Sequence, residues 1–493
     1  MFQLIEKENS NEIMNKFSIL HISDIHKIED VTYQSLLNSI KKDMANWNNE
    51  GIQKPRFIVI SGDLIQGAKT NGEIEMQYQE VTWLLEELTK LILDGHKERL
   101  IMVPGNHDVN WYRSNESMEV SDDKDADKDY DTYFAPILTD VRWSWKERKY
   151  FKIKDYSIYN SRFELFANFY NNFYQGIYTF PAEAVKGANL IYFEQEKIAF
   201  ACFNSNYKLD HLNHSGSIDE DAITNICDNL EKFYEKGYLL VGVWHHNYYG
   251  EPRQMDYMDK SIFAPMLAYK IRMGLFGHQH IAQVAEEYAN MEEPEESRRE
   301  NKLLLISSGT LFGFEKVLRP GQRRQYNIIE IEMGYGEADV AINTREDWNP
   351  NSNSKIPMWR FKEVRQSIDN KIHAKVYLKK TPLMDYVLEI DRKARMTGDY
   401  ESACDELVSL GLEKEEVRKF FDDYIGRTCD QYICKQFENL NSPDGYILLC
   451  GAVVNERNVN VARKLLDNKT FRQTSETDGI LKDYVSQLEE IVK

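Results

Sequence analysis

An α/β fold followed by a mostly helical region is what the 493-residue sequence predicts, on three observations. Short apolar runs alternate with helical patterns through the first part of the chain, nearly every run ends in a small polar cluster, and after about Ser354 this pattern gives way to helical stripes. Alternating strands and helices imply a largely parallel sheet, with polar residues gathered at the carboxyl edge of its strands. The length exceeds one ordinary core, so at least two domains are expected.

Composition narrows the class. With 42% hydrophobic and 12% aromatic residues the chain is globular rather than disordered or fibrous. No apolar run approaches the roughly 18 to 20 residues that cross a bilayer. The first ten residues are acidic where a signal peptide would be basic and then apolar, so a cytoplasmic location is expected. Six scattered cysteines form no Cys-x-x-Cys pair, which argues against thiolate zinc. A net charge of −19 argues against a broad grip on a nucleic-acid backbone and leaves a local basic groove open.

In order, Phe17 to His26 reads as a buried strand that delivers Asp24 and His26 to its end. Positions i and i+2 share a face of a strand, so this carboxylate and imidazole can close on a single ion. Val31 to Glu50 is amphipathic, and Phe57 to Ile60 is a second strand, running into Ser61-Gly62-Asp63. Tyr78, Val81, Leu84, Leu85 and Leu88 predict a long helix over Glu73 to Leu93, ended by Asp94-Gly95. Arg99 to Val103 is a third strand, broken at Pro104-Gly105 before Asn106-His107-Asp108.

From Asn110 to about Gly187 the alternation is lost. Asp122 to Asp131 reads as a solvated acidic loop. The aromatics from Trp143 to Tyr178 could serve as a base-stacking platform, but the helical spacing from Phe163 to Phe173 favours a cap packed on the main domain. Asn189 to Phe193 and Lys197 to Phe203 form a hairpin, and Asp219 to Lys236 a helix. The strand Tyr238 to Val243 ends in Trp244-His245-His246-Asn247. A helix from about Ser261 to Tyr269 leads to Met273–Phe276, which ends in Gly277-His278-Gln279-His280. Glu286 to Glu300 reads as a charged loop, and Leu303 to Ile306 and Tyr326 to Ile331 as strands. Residues 355–493 form a separate helical domain, with Leu383, Tyr386, Val387 and Ile390 on one apolar stripe and Ala403, Leu407 and Leu410 on another.

Six of the eleven histidines fall in the strand-end clusters. Their order, Asp-x-His, Gly-Asp, Gly-Asn-His-Asp, His-His and Gly-His-x-His, resembles the calcineurin-like metallophosphoesterase family over roughly Phe17 to Thr310. The resemblance implies a four-layer αββα sandwich in a domain spanning 1–354, an inserted cap at about 110–187, and two divalent ions at the carboxyl edge. It implies that Asp24, His26 and His280 hold one ion, that Asn106, His245 and His278 hold the other, and that Asp63 bridges them. Such mixed nitrogen and oxygen donors suit Mn²⁺, Fe, Zn²⁺ or Ni²⁺. His107 would then act as general acid or phosphate donor, Asp108 would orient its ring, and His246 would stand behind His245. The implied activity is hydrolysis of a phosphate ester, most simply a phosphodiester of a nucleotide or related compound, through attack by a hydroxide shared between the ions.

The chain departs from the family at Asn247-Tyr248-Tyr249-Gly250, where many members carry Pro-Pro, and at Leu64-Ile65-Gln66 after Asp63. Two alternatives stay open. A nuclease is suggested by the aromatic insert and by Lys316, Arg319, Arg323 and Arg324. An effector or adaptor is suggested by the helical domain, which could dock a protein partner or self-associate.

Overall fold

A computed structural model describes residues 16–26, 32–121, 140–181, 186–250, 255–288, 301–312, 321–349, 356–365 and 367–493, together with 183 and 318. The expected acidic loop at 122–131 lies outside these residues, as do Lys316 and Arg319. In chain order the strands are β1 (Lys16–Ile22), β2 (Phe57–Ser61), β3 (Leu100–Val103), β4 (Met118–Val120), β5 (Val141–Ser144), β6 (Lys149–Ile153), β7 (Ala188–Phe193) and β8 (Ile198–Phe203). They continue with β9 (Leu239–Val243), β10 (Met273–Phe276), β11 (Gln283–Tyr288), β12 (Lys302–Ser307), β13 (Gln325–Met333), β14 (Glu337–Asp347), β15 (Trp359–Phe361) and β16 (Ile372–Tyr377).

One sheet runs β15-β14-β13-β1-β2-β3 with β16 also on β14, and a second runs β11-β12-β10-β9-β8-β7. β1, β2 and β3 are mutually parallel, and so are β8, β9, β10 and β12. Each parallel set therefore presents its carboxyl ends along one edge. The pleat sorts the apolar residues: Phe17, Ile19, Phe57 and Val59 join Phe200, Val241, Val243 and Leu275 in the core between the sheets. Leu20, Ile22, Ile58 and Ile60 face the other way, onto the helices Tyr33–Trp47 and Asn71–Ile92. Across the second sheet, Ala199, Leu240, Leu303 and Leu305 pack under the helices Cys227–Glu235 and Phe263–Ala268. The result is a four-layer αββα sandwich whose strands, buried on both faces, read as continuous apolar runs.

The long helix begins at Asn71 on a capping box: Glu73 N–H donates to Thr70 Oγ1 at 3.3 Å, and the Thr70 N–H donates to the Glu73 carboxylate at 3.2 Å. Asp219–Lys236, expected as one helix, is two short helices, Glu220–Thr224 and Cys227–Glu235. Of the charged loop expected over Glu286 to Glu300, residues 289–300 lie outside the described residues, and Glu286 lies on β11, ion-paired with Lys302. In the insert, Phe166, Phe169, Tyr170 and Phe173 of the helix Glu164–Tyr174 are buried, and Phe169 stacks on Tyr78 of the long helix at 4.7 Å. β4, β6 and β5 make a small antiparallel sheet of their own.

The chain divides into two compact units at Lys379/Lys380, beyond the expected boundary at 354. The reason is that β15 and β16 both pair with β14, and that Trp359, Val376 and Leu378 are buried in the first unit's cores. The second unit, from Lys380, is helical, with Val387, Leu407, Phe421, Leu449, Phe471 and Leu488 buried. Leu383 and Tyr386 of the expected stripe are only half-buried, and Ala394 completes its inner face. A chain ending at Lys379 should therefore melt cooperatively, whereas one ending at Ser354 should be at least about 3 kcal/mol less stable through loss of the buried Trp, Val and Leu. Denaturation of the two chains followed by circular dichroism compares them directly, and equal midpoints would contradict the boundary.

Candidate metal centre

The polar residues expected at strand ends converge at the carboxyl edge. Asp24 follows β1, Asp63 follows β2, Asn106 and His107 follow β3, His245 follows β9, and His278 and His280 follow β10. Asp24, Asp63, His278 and His280 all adopt a left-handed backbone, with φ of 52°, 54°, 74° and 57°. Non-glycine residues rarely do so, and such strain persists where surrounding contacts fix the backbone. Here the contacts are specific. Asp63 C=O accepts from Ile25 N at 2.8 Å and His26 N at 3.2 Å, and Gly277 N donates to His245 C=O at 3.0 Å. His278 N donates to the Asp24 carboxylate at 3.1 Å, and His107 N to Asp63 Oδ1 at 2.8 Å.

Two histidines have their outward nitrogens committed. His245 Nδ1 lies 2.7 Å from Ser61 C=O, and His278 Nε2 lies 2.6 Å from Asp256 C=O. Each ring must donate there, so in the neutral rings the lone pair of His245 Nε2 and that of His278 Nδ1 face inward. Those atoms are 3.2 Å apart, and Asn106 Oδ1 is 3.0 Å from the first and 2.8 Å from the second. Asp63 Oδ2 is 3.3 Å from His245 Nε2. Four electron-pair donors at this spacing repel one another unless a cation lies among them, so the donor set fits a metal ion. On the other side of Asp63, His280 Nε2 is 3.2 Å from Asp24 Oδ1 and 3.4 Å from His26 Nε2. Three overlapping sets of side chains bring their ligand atoms within 4.8 Å: Asp24, His26 and His280; His26, Asp63 and His107; Asp63, His245 and His278.

The electrostatics point the same way. Burial opposes charge on His245, but the Asp63 carboxylate outweighs it and pushes the ring up to about 9. Burial, followed by the charge of His245, lowers His278 to about 4, and burial, followed by that of His107, lowers His26 to about 4. Although burial favours its neutral form, Asp63 is held well below the usual carboxylate range by His245 and His107. Two buried carboxylates demand positive charge at this edge, and divalent ions meet that demand without protonating the ligands.

The expectation for Asp108 is corrected. Its carboxylate accepts from Gly105 N at 2.8 Å, Leu64 N at 3.2 Å and the Tyr78 hydroxyl at 3.2 Å, so it braces the loop from below; burial and then the Asp63 charge raise it to about 7. His107 is oriented by Gln66 C=O, 2.9 Å from its Nδ1. That arrangement turns Nε2 toward the cluster, 4.0 Å from Asp63 Oδ2, with the ring stacked over His26 at 5.1 Å. His246 is buried behind the cluster, its ring 4.6 Å from that of His278 and its Nδ1 2.9 Å from Ser205 Oγ. His21 is buried against Ser61 Oγ at 3.0 Å, and His211 meets Ser114 Oγ at 3.0 Å. His96 and His373 pair with nearby carboxylates on the surface.

Sequence reasoning missed Ser61, Gln66 and Asp256 because they act through backbone carbonyls, which no side-chain pattern reveals. It also missed two steric requirements. Gly62 sits at φ +95°, where a Cβ would meet His245 Nδ1 at 2.5 Å, and a Cβ on Gly105 would meet Asp63 Oδ1 at 2.1 Å.

A family model described as calcineurin-like phosphoesterase matches residues 17–282. The comparison with curated proteins finds no match. Among solved structures, a dimetal phosphatase from Danio rerio is similar at 11% identity and a TM-score of 0.35, over 66% of this chain and 95% of that one. PhoD is similar at 10% identity and a TM-score of 0.38, over 73% of this chain and 76% of that one.

Because Gly105 touches Asp63 directly, Gly105→Ala should lower bound metal about 10- to 100-fold in affinity while leaving the far-ultraviolet spectrum intact, the range seen when the support of a metal ligand is disturbed. Elemental analysis after dialysis against graded chelator measures this, and unchanged retention would show that Asp63 has room to move.

Proposed function

The chain belongs to the calcineurin-like phosphoesterase family, whose members are metal-dependent phosphoric ester hydrolases, and from that premise we propose that its substrate is a phosphodiester, a nucleotide or a related ester. One observation carries the reading: Asn106 Oδ1, His245 Nε2, His278 Nδ1 and Asp63 Oδ2 meet within bonding reach of a common point, with Asp24, His26 and His280 on the other side of Asp63. In this reading Asp24, His26 and His280 would hold one ion and Asn106, His245 and His278 the second, with Asp63 available to both. When bound, the ions supply Lewis-acid neutralisation of phosphoryl oxygens and a water acidified to near neutrality.

The protein's own groups do the rest. Gln66 C=O holds the His107 ring by Nδ1, so that Nε2 is presented over the cluster, where it donates a proton to the departing oxygen or a hydrogen bond to the phosphate. Asp108 and Tyr78 fix the turn that carries His107 and Asn106. Ser61 and Asp256 hold His245 and His278 in the tautomers that leave a lone pair at the centre.

The arginines of the flanking segments hold the protein's own chain. Arg142 and Arg162 are fully buried, the first on Asp210 at 2.8 Å and the second on the carbonyls of Tyr207 and Leu209. Of the cations that prompted the nuclease reading, the two among the described residues are engaged in the protein: Arg324 Nε and Nη2 both donate to Asp347 Oδ2, and Arg323 lies over Trp348 and donates to Asp347 C=O.

Asp63→Asn should abolish hydrolysis and halve or more the metal content without unfolding the chain. His107→Ala should retain metal and lose about 10²- to 10⁴-fold in kcat, the usual contribution of a positioned proton donor. Turnover of bis(p-nitrophenyl) phosphate against p-nitrophenyl phosphate, with manganese added, tests both; full activity in Asp63→Asn would end the proposal.

A further inference from the structure

Beside the metal centre stands an exposed pair of stacked rings that the phosphoester chemistry does not use. Trp111 and His214 lie 5.1 Å apart between ring centroids and 18° from coplanar, and Trp111 is 38% exposed. The two rings come from different segments of the chain, the helix Trp111–Glu116 and the loop before Gly216.

Both rings are fixed to the centre by short stretches of chain. Trp111 opens the helix Trp111–Glu116, directly after the Asn106–Asp108 turn. The helix start is held by Asn110, whose side chain accepts from Tyr112 N at 3.1 Å and donates to Asn71 at 2.8 Å. His214 is two residues before Gly216, where a Cβ would meet the His246 ring at 2.3 Å, and His246 in turn packs on His278.

The loop carrying His214 is rigid for reasons internal to the insert. Arg162 donates to Tyr207 C=O at 2.7 Å and Leu209 C=O at 3.1 Å, and Arg142 pairs with Asp210. Asp210 Oδ1 accepts from Leu212 N and Asn213 N, both at 2.9 Å. Ser114, on the same short helix as Trp111, contacts both His211 N and His211 Nδ1, which ties the helix to the loop. A stacking surface ordered in advance loses little entropy when a ligand adds to it.

We propose that Trp111 and His214 form a subsite that stacks the nucleobase of the ester whose phosphate is cleaved at the metal centre. This rests on the phosphoesterase reading and deepens it by naming what the substrate carries beside the phosphate. Stacking by an aromatic side chain recognises any base face, so the subsite selects nucleotides over sugar phosphates without strict choice among bases.

The test uses the full-length, manganese-loaded protein and calorimetric binding of adenosine 5′-monophosphate and ribose 5-phosphate, with hydrolysis of bis(p-nitrophenyl) phosphate measured alongside. The wild type should bind the nucleotide about tenfold or more tighter than the sugar phosphate. Trp111→Ala should bring the two affinities together by weakening the nucleotide alone, His214→Ala should do so in part, and Trp111→Phe should keep most of the preference. A wild type without the preference, or a Trp111→Ala variant that weakens both ligands equally or neither, overturns the subsite. Loss of the subsite with hydrolysis intact leaves the phosphoesterase reading standing, whereas hydrolysis that survives Asp63→Asn removes the reading beneath it.

Discussion

The burial of Asp63 at the meeting point of three strand ends is the constraint on which the site depends. Its carbonyl takes the amides of Ile25 and His26, its Oδ1 takes the amide of His107, and its Oδ2 faces His245. One residue thereby sets the register of the loops after β1, β2 and β3 and reaches the end of β9. A carboxylate placed this way, with Asp24 also fully buried nearby, cannot be left unpaired without a cost of several kcal/mol. The surrounding histidines partly meet that cost through protonation, but their own burial resists it. Divalent cations resolve the conflict, which is why the same contacts that look strained in the protein alone make chemical sense as a metal-binding device.

The left-handed backbone at Asp24, Asp63, His278 and His280 follows from the same requirement. A strand points alternate side chains to opposite faces, whereas ligands of one cluster must turn inward from the ends of several strands. Reversing φ past β1, β2 and β10 achieves that turn, and the His245 ring at Gly62, Asp63 at Gly105 and the Ser23 side chain at Gly277 leave no space for a Cβ on those glycines. Strain and close approach are thus two aspects of gathering ligands from parallel strands onto one edge.

Much of this was legible in the sequence. Apolar runs ending in Asp-x-His, Gly-Asp, Asn-His-Asp, His-His and His-x-His fixed which residues meet, because parallel strands share a carboxyl edge whatever their order. The stripe from Tyr78 to Leu88 likewise located the long helix to within two residues at its start. Other features had no side-chain signature. Asp108 follows His107 directly, and adjacency suggested an interaction, but the Asp108 carboxylate is taken by Gly105 N, Leu64 N and the Tyr78 hydroxyl, and His107 Nδ1 meets Gln66 C=O instead. The end of the first unit was hidden because β15 and β16 are edge strands, with Arg360, His373 and Lys375 exposed, so they lack the apolar continuity of the central ones. The helix expected over Asp219–Lys236 breaks at Asn225–Ile226, where no glycine or proline marks it.

The insert shows how added chain can alter a site without touching its ligands. Its helix Glu164–Tyr174 secures it to the long helix through the aromatic layer around Tyr78, whose hydroxyl also holds Asp108. Arg142 and Arg162, both wholly buried, then spend their donors on Asp210 and on the carbonyls of the 207–209 stretch. Buried guanidinium groups are costly unless their hydrogen bonds are met, so this investment is explicable only if the 207–217 loop needs a defined shape. That loop carries no ligand of the cluster; it places Gly216 against His246 and His214 beside Trp111. The insert's rigid interior therefore serves the rim of the site, the one part of a phosphoesterase that must differ from one substrate to another while the metal ligands stay the same.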